Sequence, residues 1–365
     1  MTDTLDIFLA VQPGLEALLA EEASALGFAP ARVTGGGVEI TGGWPEVWRA
    51  NLCLRGASRV LVRVGSFRAQ HLSQLDKLSR KLPWGDFLQE DVPVKVEATS
   101  SRSKLYHTGA IAERVARASG DPSGQEDAVR IFVRIDRDVC TVSVDTSGEL
   151  LHRRGFKQAV GKAPLRETQA ALFLRACGYD GQETVVDPMC GSGTFPIEAA
   201  EWAAGLMPGR ERAFAFEKLA TFDPDAWHRL RAETQKGLPT EIRAYGYDRN
   251  AGAIDMTMSN AERAGVAGLT SFAQQNVSEL KAPDGAPGLV MVNPPYGARM
   301  GDRTALRSLY QTLGRVLSEG FKGWRVGLVT SDDQLAHATG LLFDVPGRPV
   351  PHGPLRIKLW KTGPL

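Results

Sequence analysis

Three short segments of this 365-residue chain collect residue types that hold small polar ligands. The first is Val185-Val186-Asp187-Pro188-Met189-Cys190-Gly191-Ser192-Gly193-Thr194, an apolar pair and an acid followed by two glycines. It reads as a strand end, a tight loop and a helix start. Its glycines let backbone approach a ligand at the carboxyl edge of a sheet. Two phosphate-binding readings fail on the residues. A P-loop needs G-x-x-x-x-G-K-[S/T], and Gly161-Lys162-Ala163 lacks both the earlier glycine and the hydroxyl. A dinucleotide fingerprint would need glycine at 196, where Pro196 stands. An acid just before the loop suits a ligand with a cationic amino group, and S-adenosylmethionine is such a ligand. Asp187 would accept from its ammonium, and Met189, Cys190, Gly191, Gly193 and Thr194 would line the same site. The bland alternative is a tight turn with no ligand, and a second acid weighs against it. Asp248 ends Tyr245-Gly-Tyr-Asp, 61 residues after Asp187. A carboxylate there can accept both hydroxyls of a ribose. The usual separation is about 20 residues; an insertion over 205–240, rich in charge and Trp/Phe, accounts for the excess.

The third segment is Asn293-Pro-Pro-Tyr296, directly after the apolar run Leu289-Val-Met-Val292. Two prolines remove two N–H donors and stiffen the turn. What is left is rich in acceptors: the Asn293 side-chain carbonyl and the Pro294 backbone carbonyl, with the flat ring of Tyr296. That set suits a planar substrate bearing an NH2 group. Two carbonyls holding its hydrogens localise the nitrogen lone pair towards a methyl donor, and Tyr296 can stack on the ring. Transfer would be direct and in line, driven by positioning. A thiol nucleophile of the kind used at pyrimidine C5 is disfavoured, because Cys190 sits inside the glycine loop and would pack against the cofactor. Tyr106, His107, His152 and His228 have no partners recognisable in the sequence and read as surface or structural residues.

These segments need a sheet to position them. From residue 164 the chain alternates: helix 164–177, strand 184–187, helix 195–204, strand 244–248, helix 250–264, strands 270–274 and 288–293, helix 305–317, strand 324–330 and a last strand within 353–361. That rhythm predicts an open parallel sheet with helices on both faces. The first 150 residues mix short strands with helices in an α+β pattern. Strands are expected at 5–11, 38–40, 58–64, 92–99, 129–135 and 139–145, with helices at 13–26, 44–52 and 108–118. Over 58–64, Val60, Val62 and Val64 alternate with Arg59 and Arg63, which predicts a half-buried strand that presents arginines to solvent.

The net charge of +1 hides unlike parts. Residues 1–54 carry two bases against seven acids, residues 55–170 twenty against fourteen, and residues 171–365 twenty-one of each. Two stretches of the middle segment lack acids: one holds Arg55, Arg59, Arg63 and Arg68, the other His152, Arg153, Arg154, Lys157, Lys162 and Arg166. This suits a polyanion surface, with Arg59, Arg63, Arg153, Arg154 and Lys157 as candidate RNA contacts. Hydrophobic residues make up 43% and charged residues 23%, which excludes a disordered chain. The four cysteines form no C-x-x-C pair, which argues against a zinc ribbon, an iron–sulfur run or a disulfide scaffold and fits a reducing, cytoplasmic setting. No apolar stretch approaches the ~20 residues of a membrane span. No metal and no membrane partner is expected.

The chain resembles the THUMP-containing RNA guanine-N2 methyltransferases, most of all the guanine-N2-methylating half of the bacterial large-subunit ribosomal RNA enzyme. The segments that carry the likeness are Leu151-His-Arg-Arg-Gly-Phe-Lys157, Ala163-Pro-Leu-Arg-Glu-Thr168, Asp187 to Thr194 with Ile197-Glu-Ala-Ala200, and Asn293-Pro-Pro-Tyr-Gly297. The resemblance implies an α/β protein: a class I (Rossmann-like) methyltransferase domain over 156–365, behind an N-terminal α+β ferredoxin-like/THUMP module. That module divides into a ferredoxin-like lobe (1–43) and a THUMP RNA-binding domain (44–155). It implies that Ala163, Pro164 and Thr168 border the cofactor and that the Asn293 motif faces guanine, with Asn293 also near the cofactor. Where the family commonly carries an acid for the adenine amine, this chain has Asn276, whose amide oxygen can still accept. Only one modification is expected, since the longer enzyme continues into a second methyltransferase half. The expected function is methyl transfer from S-adenosylmethionine to the N2 amine of a guanosine, in large-subunit ribosomal RNA. The rivals are the same chemistry on transfer RNA, amine methylation of adenine or of a protein glutamine, and a non-catalytic RNA-binding assembly factor.

Overall fold

The computed structural model describes residues 4–90, 92–120, 128–157, 165–234, 237–297 and 303–365. Two compact units share the chain. One takes the chain up to Val11, Ala20–Leu151 and Arg212–Glu233; the other takes Gln12–Leu19, His152–Glu211 and Thr234–Leu365.

The first unit is built on seven strands: β1 (Leu5–Ala10), β2 (Arg32–Thr34), β3 (Gly37–Gly42), β4 (Arg59–Arg68), β5 (Val94–Ser101), β6 (Val129–Asp136) and β7 (Val139–Asp145). They lie in the order β2-β3-β1-β4-β7-β6-β5. Only β5 and β6 run parallel; the other neighbours are antiparallel. One sheet thus runs across the 43/44 boundary, because β1 pairs with both β3 and β4. The helices of this unit include α2 (Trp44–Cys53), α3 (Leu72–Ser79) and α4 (Thr108–Ser119). Their buried faces supply Val47, Leu75, Ile111 and Val115 to a core shared with Val60, Val62, Ile131, Val142 and Val144. Period-2 burial on β6 (Val129, Ile131, Val133 and Ile135 inward) and helical spacing on α4 are what such a two-layer core requires. A further helix, α1 (Glu16–Ala25), begins at Glu16, past the Pro13-Gly14 turn.

The 205–240 insertion contributes to this first unit as well. Phe216 is fully buried, its ring 6.1 Å from Trp48 and 5.0 Å from Trp227. The aromatic richness of the insertion is therefore core packing in the N-terminal unit.

The second unit carries β8 (Val185–Asp187), β9 (Ala244–Asp248), β10 (Thr270–Gln274), β11 (Leu289–Val292), β12 (Arg325–Thr330), β13 (Val350–His352) and β14 (Leu355–Lys361). The order is β10-β9-β8-β11-β12-β14-β13. The first five are parallel; β14 runs antiparallel to β12 and to β13. Helices α5 (Glu167–Ala176), α6 (Thr194–Ala203), α8 (Ala251–Arg263), α9 (Arg303–Gly320) and α10 (Asp333–Ala338) belong here; α7 (Pro224–Thr234) lies in the insertion. All four residues of β11 are fully buried, as expected for a strand covered on both faces. From β8 the strand order first grows outward through β9 and β10, then returns to β11 on the other side. The carboxyl ends of β8 and β11 therefore flank the switch point where open α/β sheets hold ligands. Among the described residues no helix is long and apolar enough to cross a membrane.

β4 departs from the expected solvent-facing pattern. Leu61 is buried as well as Val60 and Val62, and the side chains of Arg59 and Arg63 are only 13% and 21% exposed. Arg59 is ion-paired with Asp145 of β7 and donates to the Gly148 carbonyl. Arg63 donates to Ser143 Oγ at 3.0 Å and lies 4.3 Å over the Phe8 ring. Neighbouring residues thus engage both arginines, and each is half-buried rather than fully presented to solvent.

Candidate active site

The glycine loop is set by its strand and by α8. Asp187 ends β8 beside Gly246 of β9, and Val186 pairs with Val290 of β11. The Cys190 N–H donates to the Tyr247 carbonyl at 2.9 Å, which ties the loop to the adjacent strand end. From α8, Thr257 Oγ1 donates to the Gly191 carbonyl (2.7 Å) and Asn260 Nδ2 to the Ser192 carbonyl (3.1 Å). Gly193 has φ +82°, and a Cβ there would stand 2.6 Å from Thr257, so glycine is required on both counts. Gly191 also has a left-handed φ (+54°), but nothing lies within 4 Å of where its Cβ would be. Its backbone borders open space.

The two acids behave differently. Asp187 is 2% exposed and accepts the Met189 N–H at 3.0 Å. Burial pushes its carboxyl up to about 8; the nearby Asp248 adds to the shift and the Met189 hydrogen bond opposes it. Such a group gains a great deal from a cationic partner. Asp248 accepts the Gly191 N–H (3.1 Å) on Oδ2 and the Asn250 N–H (2.9 Å) on Oδ1. This fixes the carboxylate plane while leaving lone pairs for further donors. Cys190 is buried, and burial with the two acids pushes its thiol well above the usual range. A thiol held neutral packs; it does not attack.

Asn293 follows β11, the strand next to β8. Its Oδ1 is buried and, among the described residues, accepts no hydrogen bond. An orphaned buried acceptor costs about 1–3 kcal/mol, and an incoming donor would recover it. Pro294 and Tyr296 are buried. The turn is braced from below: Tyr310 of α9, fully buried, places its hydroxyl 3.4 Å from the Pro295 carbonyl and 3.3 Å from Thr330 Oγ1 at the end of β12.

The remaining expected cofactor residues divide. Thr168 is buried in the first turn of α5. Thr194 opens α6 and accepts from Lys157 Nζ at 2.8 Å. Asn276 is exposed after β10, with no capping bond from its side chain. Ala163 and Pro164 lie outside the described residues. Asp187, the 189–194 loop, Asp248 and Asn293 do converge on three neighbouring strand ends. The residues fit S-adenosylmethionine by their chemistry: a buried carboxyl awaiting a cation, a glycine backbone bordering open space, and a fixed carboxylate on the next strand. Among the described residues no group of three or more His, Cys, Asp and Glu is placed to hold a metal ion.

The candidate RNA contacts of the 151–157 segment need correction. Arg154 is 1% exposed and paired with the equally buried Glu198 of α6 at 3.3 Å. Lys157 bonds Glu167 Oε1 at 2.9 Å and is nearly buried. Both cations neutralise interior carboxylates, so phosphates cannot reach them. Arg153 is exposed.

Thr257, Asn260, Tyr310 and Thr330 were missed in the sequence. The available signal was polarity where helical spacing expects an apolar residue: Thr257 and Asn260 are three apart in the 250–264 helix, and both are fully buried.

Residues 154–345 match the family described as RMKL-like, methyltransferase domain. Residues 6–61 match the RlmL ferredoxin-like domain, and residues 69–145 the THUMP domain. A ribosomal RNA large subunit methyltransferase K/L of Allochromatium vinosum is 37% identical over 360 residues, covering 92% of this chain and 49% of that protein. A putative RNA methyltransferase of Synechocystis sp. is 31% identical over 353 residues, covering 93% of this chain and 91% of that protein. The chain spans about half the length of the K/L relatives it matches. A solved putative methyltransferase complexed with SAH shares 26% identity at a TM-score of 0.89, covering 100% of this chain and 99% of that one.

Proposed function

The chain belongs to the family of RMKL-like methyltransferase domains, and on that premise we propose that it transfers a methyl group from S-adenosylmethionine to the exocyclic N2 amine of a guanosine in RNA. The observation that carries this reading is the orphaned Oδ1 of Asn293 at the strand end next to Asp187 and the glycine loop. When bound, S-adenosylmethionine supplies an electrophilic methyl carbon on its sulfonium. Asp187 holds the ammonium, Asp248 the ribose hydroxyls, and the Gly191–Gly193 backbone the methionyl part, with Met189, Cys190, Thr194, Thr168 and Asn276 around it. Asn293 Oδ1 and the Pro294 carbonyl would accept the two amine hydrogens and so localise the nitrogen lone pair; one of those hydrogens leaves as a proton when the nitrogen gains the methyl group and the sulfonium becomes a neutral sulfide. Tyr296 contacts the base. The catalytic contribution is positioning, and the target base leaves its stack at a cost of a few kcal/mol.

Large-subunit ribosomal RNA is the substrate we favour, on the likeness to proteins of that name; transfer RNA is the alternative within the same chemistry. The segments 1–43, 44–155 and 156–365 divide the labour in this reading, the first two gripping RNA and the third methylating. Four free, buried cysteines suit work in the reducing cytoplasm. The test uses purified protein, labelled S-adenosylmethionine, and separated ribosomal and transfer RNA from cells lacking the gene. Label in large-subunit RNA is the expected result. Label confined to transfer RNA moves the substrate, and failure to bind the cofactor at all overturns the reading in favour of a non-catalytic factor.

A further inference from the structure

We infer that one end of the N-terminal sheet is a platform for an unpaired RNA strand, built from the loop 102–107, the turn Arg137-Asp138 and the end of β4. The inference rests on RNA as the partner, as proposed above.

Three non-glycine residues at this end have left-handed backbone: Arg102 (φ +50°), Arg137 (+50°) and Asp138 (+64°). The last two form the two-residue turn between β6 and β7, where Asp136 pairs with Val139. Such turns favour Asn-Gly or Asp-Gly, since glycine adopts this conformation without strain. Aspartate tolerates this backbone, but Arg137 in the turn and Arg102 in the facing loop adopt it where glycine or asparagine would be less strained. Strain kept against a cheaper residue points to a role for the side chain.

The platform is stitched together. Arg137 N–H donates to the Ser101 carbonyl (3.3 Å), Asp138 N–H to Ser103 Oγ (2.9 Å), Lys104 N–H to Asp138 Oδ1 (2.8 Å) and Ala69 N–H to the Asp138 carbonyl (2.9 Å). Gln70 Nε2 donates to Asp138 Oδ2 at 2.7 Å, and Gln70 Oε1 accepts from Lys104 Nζ at 3.1 Å. Four exposed cations gather here: Arg68, Arg102, Lys104 and Arg137. Two carboxylates face them. Asp136 takes Arg102 as an ion-pair partner at 2.8 Å, and Asp138 accepts the Lys104 N–H and the Gln70 side-chain amide, with Arg68 and Lys104 as its charged neighbours. Cations outnumber acids two to one on a preorganised surface, which suits phosphates. The aromatic element is Tyr106, 69% exposed, its ring centroid 4.1 Å from that of His107. An exposed ring beside backbone-binding cations is how single strands are held, because an unstacked base offers its face where a duplex does not.

The probe is a fluorescein-labelled 12-nucleotide single-stranded RNA of mixed sequence, with the same strand annealed to its complement for comparison. Binding to the full chain is read by anisotropy against salt. Wild type should prefer the single strand. Tyr106→Ala should weaken single-strand binding about tenfold, and Tyr106→Phe should keep it. The double variant Arg102→Gly, Arg137→Gly relieves the backbone strain, so its melting temperature should stay the same or rise. Its affinity should nevertheless fall, with the slope of log K against log salt reduced by about 1.4, as expected for two lost phosphate contacts. Undiminished affinity in both variants, with S-adenosylmethionine binding intact, overturns the platform and leaves the RNA reading standing. Equal binding of duplex and single strand overturns the base-stacking role. A wild type that binds S-adenosylmethionine but no RNA overturns the RNA reading itself, and the platform with it.

Discussion

The glycine loop after β8 and the arginine strand β4 both combine a short apolar run with polar residues, yet they use them in opposite ways. In the loop, Asp187, Gly191 and Gly193 lie within seven residues, and the chain's own geometry brings them to one strand end. On β4, the fate of Arg59 and Arg63 is decided by Asp145 and Ser143, some 80 residues on. Alternation fixes which face an arginine takes; it says nothing of what waits on that face. Ligand sites written on consecutive residues are thus open to a reader of sequence, whereas a cation's availability depends on partners that only the folded sheet supplies.

The contrast can be pressed by substitution. The largest effect is expected at Asn293: Asn293→Ala should lower single-turnover methyl transfer about a thousandfold, roughly 4 kcal/mol of transition-state positioning. Cofactor affinity, read by calorimetry, should hardly change; a parallel loss of affinity would place Asn293 in cofactor binding instead.

On the other side of the comparison, Arg59→Ala strands the fully buried Asp145 carboxylate, a group whose pKa burial already raises against the pull of Arg59. A loss of about 3 kcal/mol in stability is expected, read by denaturant titration. A variant as stable as wild type that binds RNA more weakly would restore Arg59 as a surface contact.

Asp187→Asn should weaken S-adenosylmethionine binding by about 2 kcal/mol, or thirtyfold. The same change has an opposite effect on the ligand-free protein. The Asp187 carboxyl titrates near 8 when folded and near 3.8 when unfolded. Its contribution to stability is therefore present below about pH 4 and lost as pH rises through about 8. The Asn variant escapes that loss and should melt higher than wild type at pH 8, with the gap closing by pH 4. Cofactor binding to wild type near pH 7 should also release a proton, since the ammonium favours the ionised carboxylate. Calorimetry in buffers of different ionisation enthalpy measures this, and a buffer-independent heat would contradict it.

The smallest effect is expected at Arg63. Arg63→Ala removes a cation from over the Phe8 ring and one hydrogen bond to Ser143, worth about 1 kcal/mol. A larger loss of RNA affinity than of stability would reopen its assignment as a surface contact.

The second sheet was legible because its strands are apolar runs spaced by helical periods, and a parallel sheet must alternate that way. The elements not foreseen are short or amphipathic in disguise: β2 and β13 have three residues each, too few for periodicity. The helix α7 sits in a charged insertion whose apolar residues pack in the other unit, so its purpose is invisible from its neighbours in sequence. In the site, the acids and Asn293 were legible because their types are unusual at strand ends. Thr257 and Asn260 were not, because a polar residue on a helix reads as solvated until its partner carbonyl is known. Arg154 misled for the same reason: Glu198, which neutralises it, lies 44 residues away.

The central claim is that Asn293 presents acceptors to an exocyclic amine of guanine. The most direct measurement is mass spectrometry of nucleosides from large-subunit ribosomal RNA, purified from cells lacking the gene and incubated with the protein and S-adenosylmethionine. The account predicts N2-methylguanosine as the product that grows with enzyme. Growth of N6-methyladenosine or of a ring-methylated nucleoside in its place would contradict it.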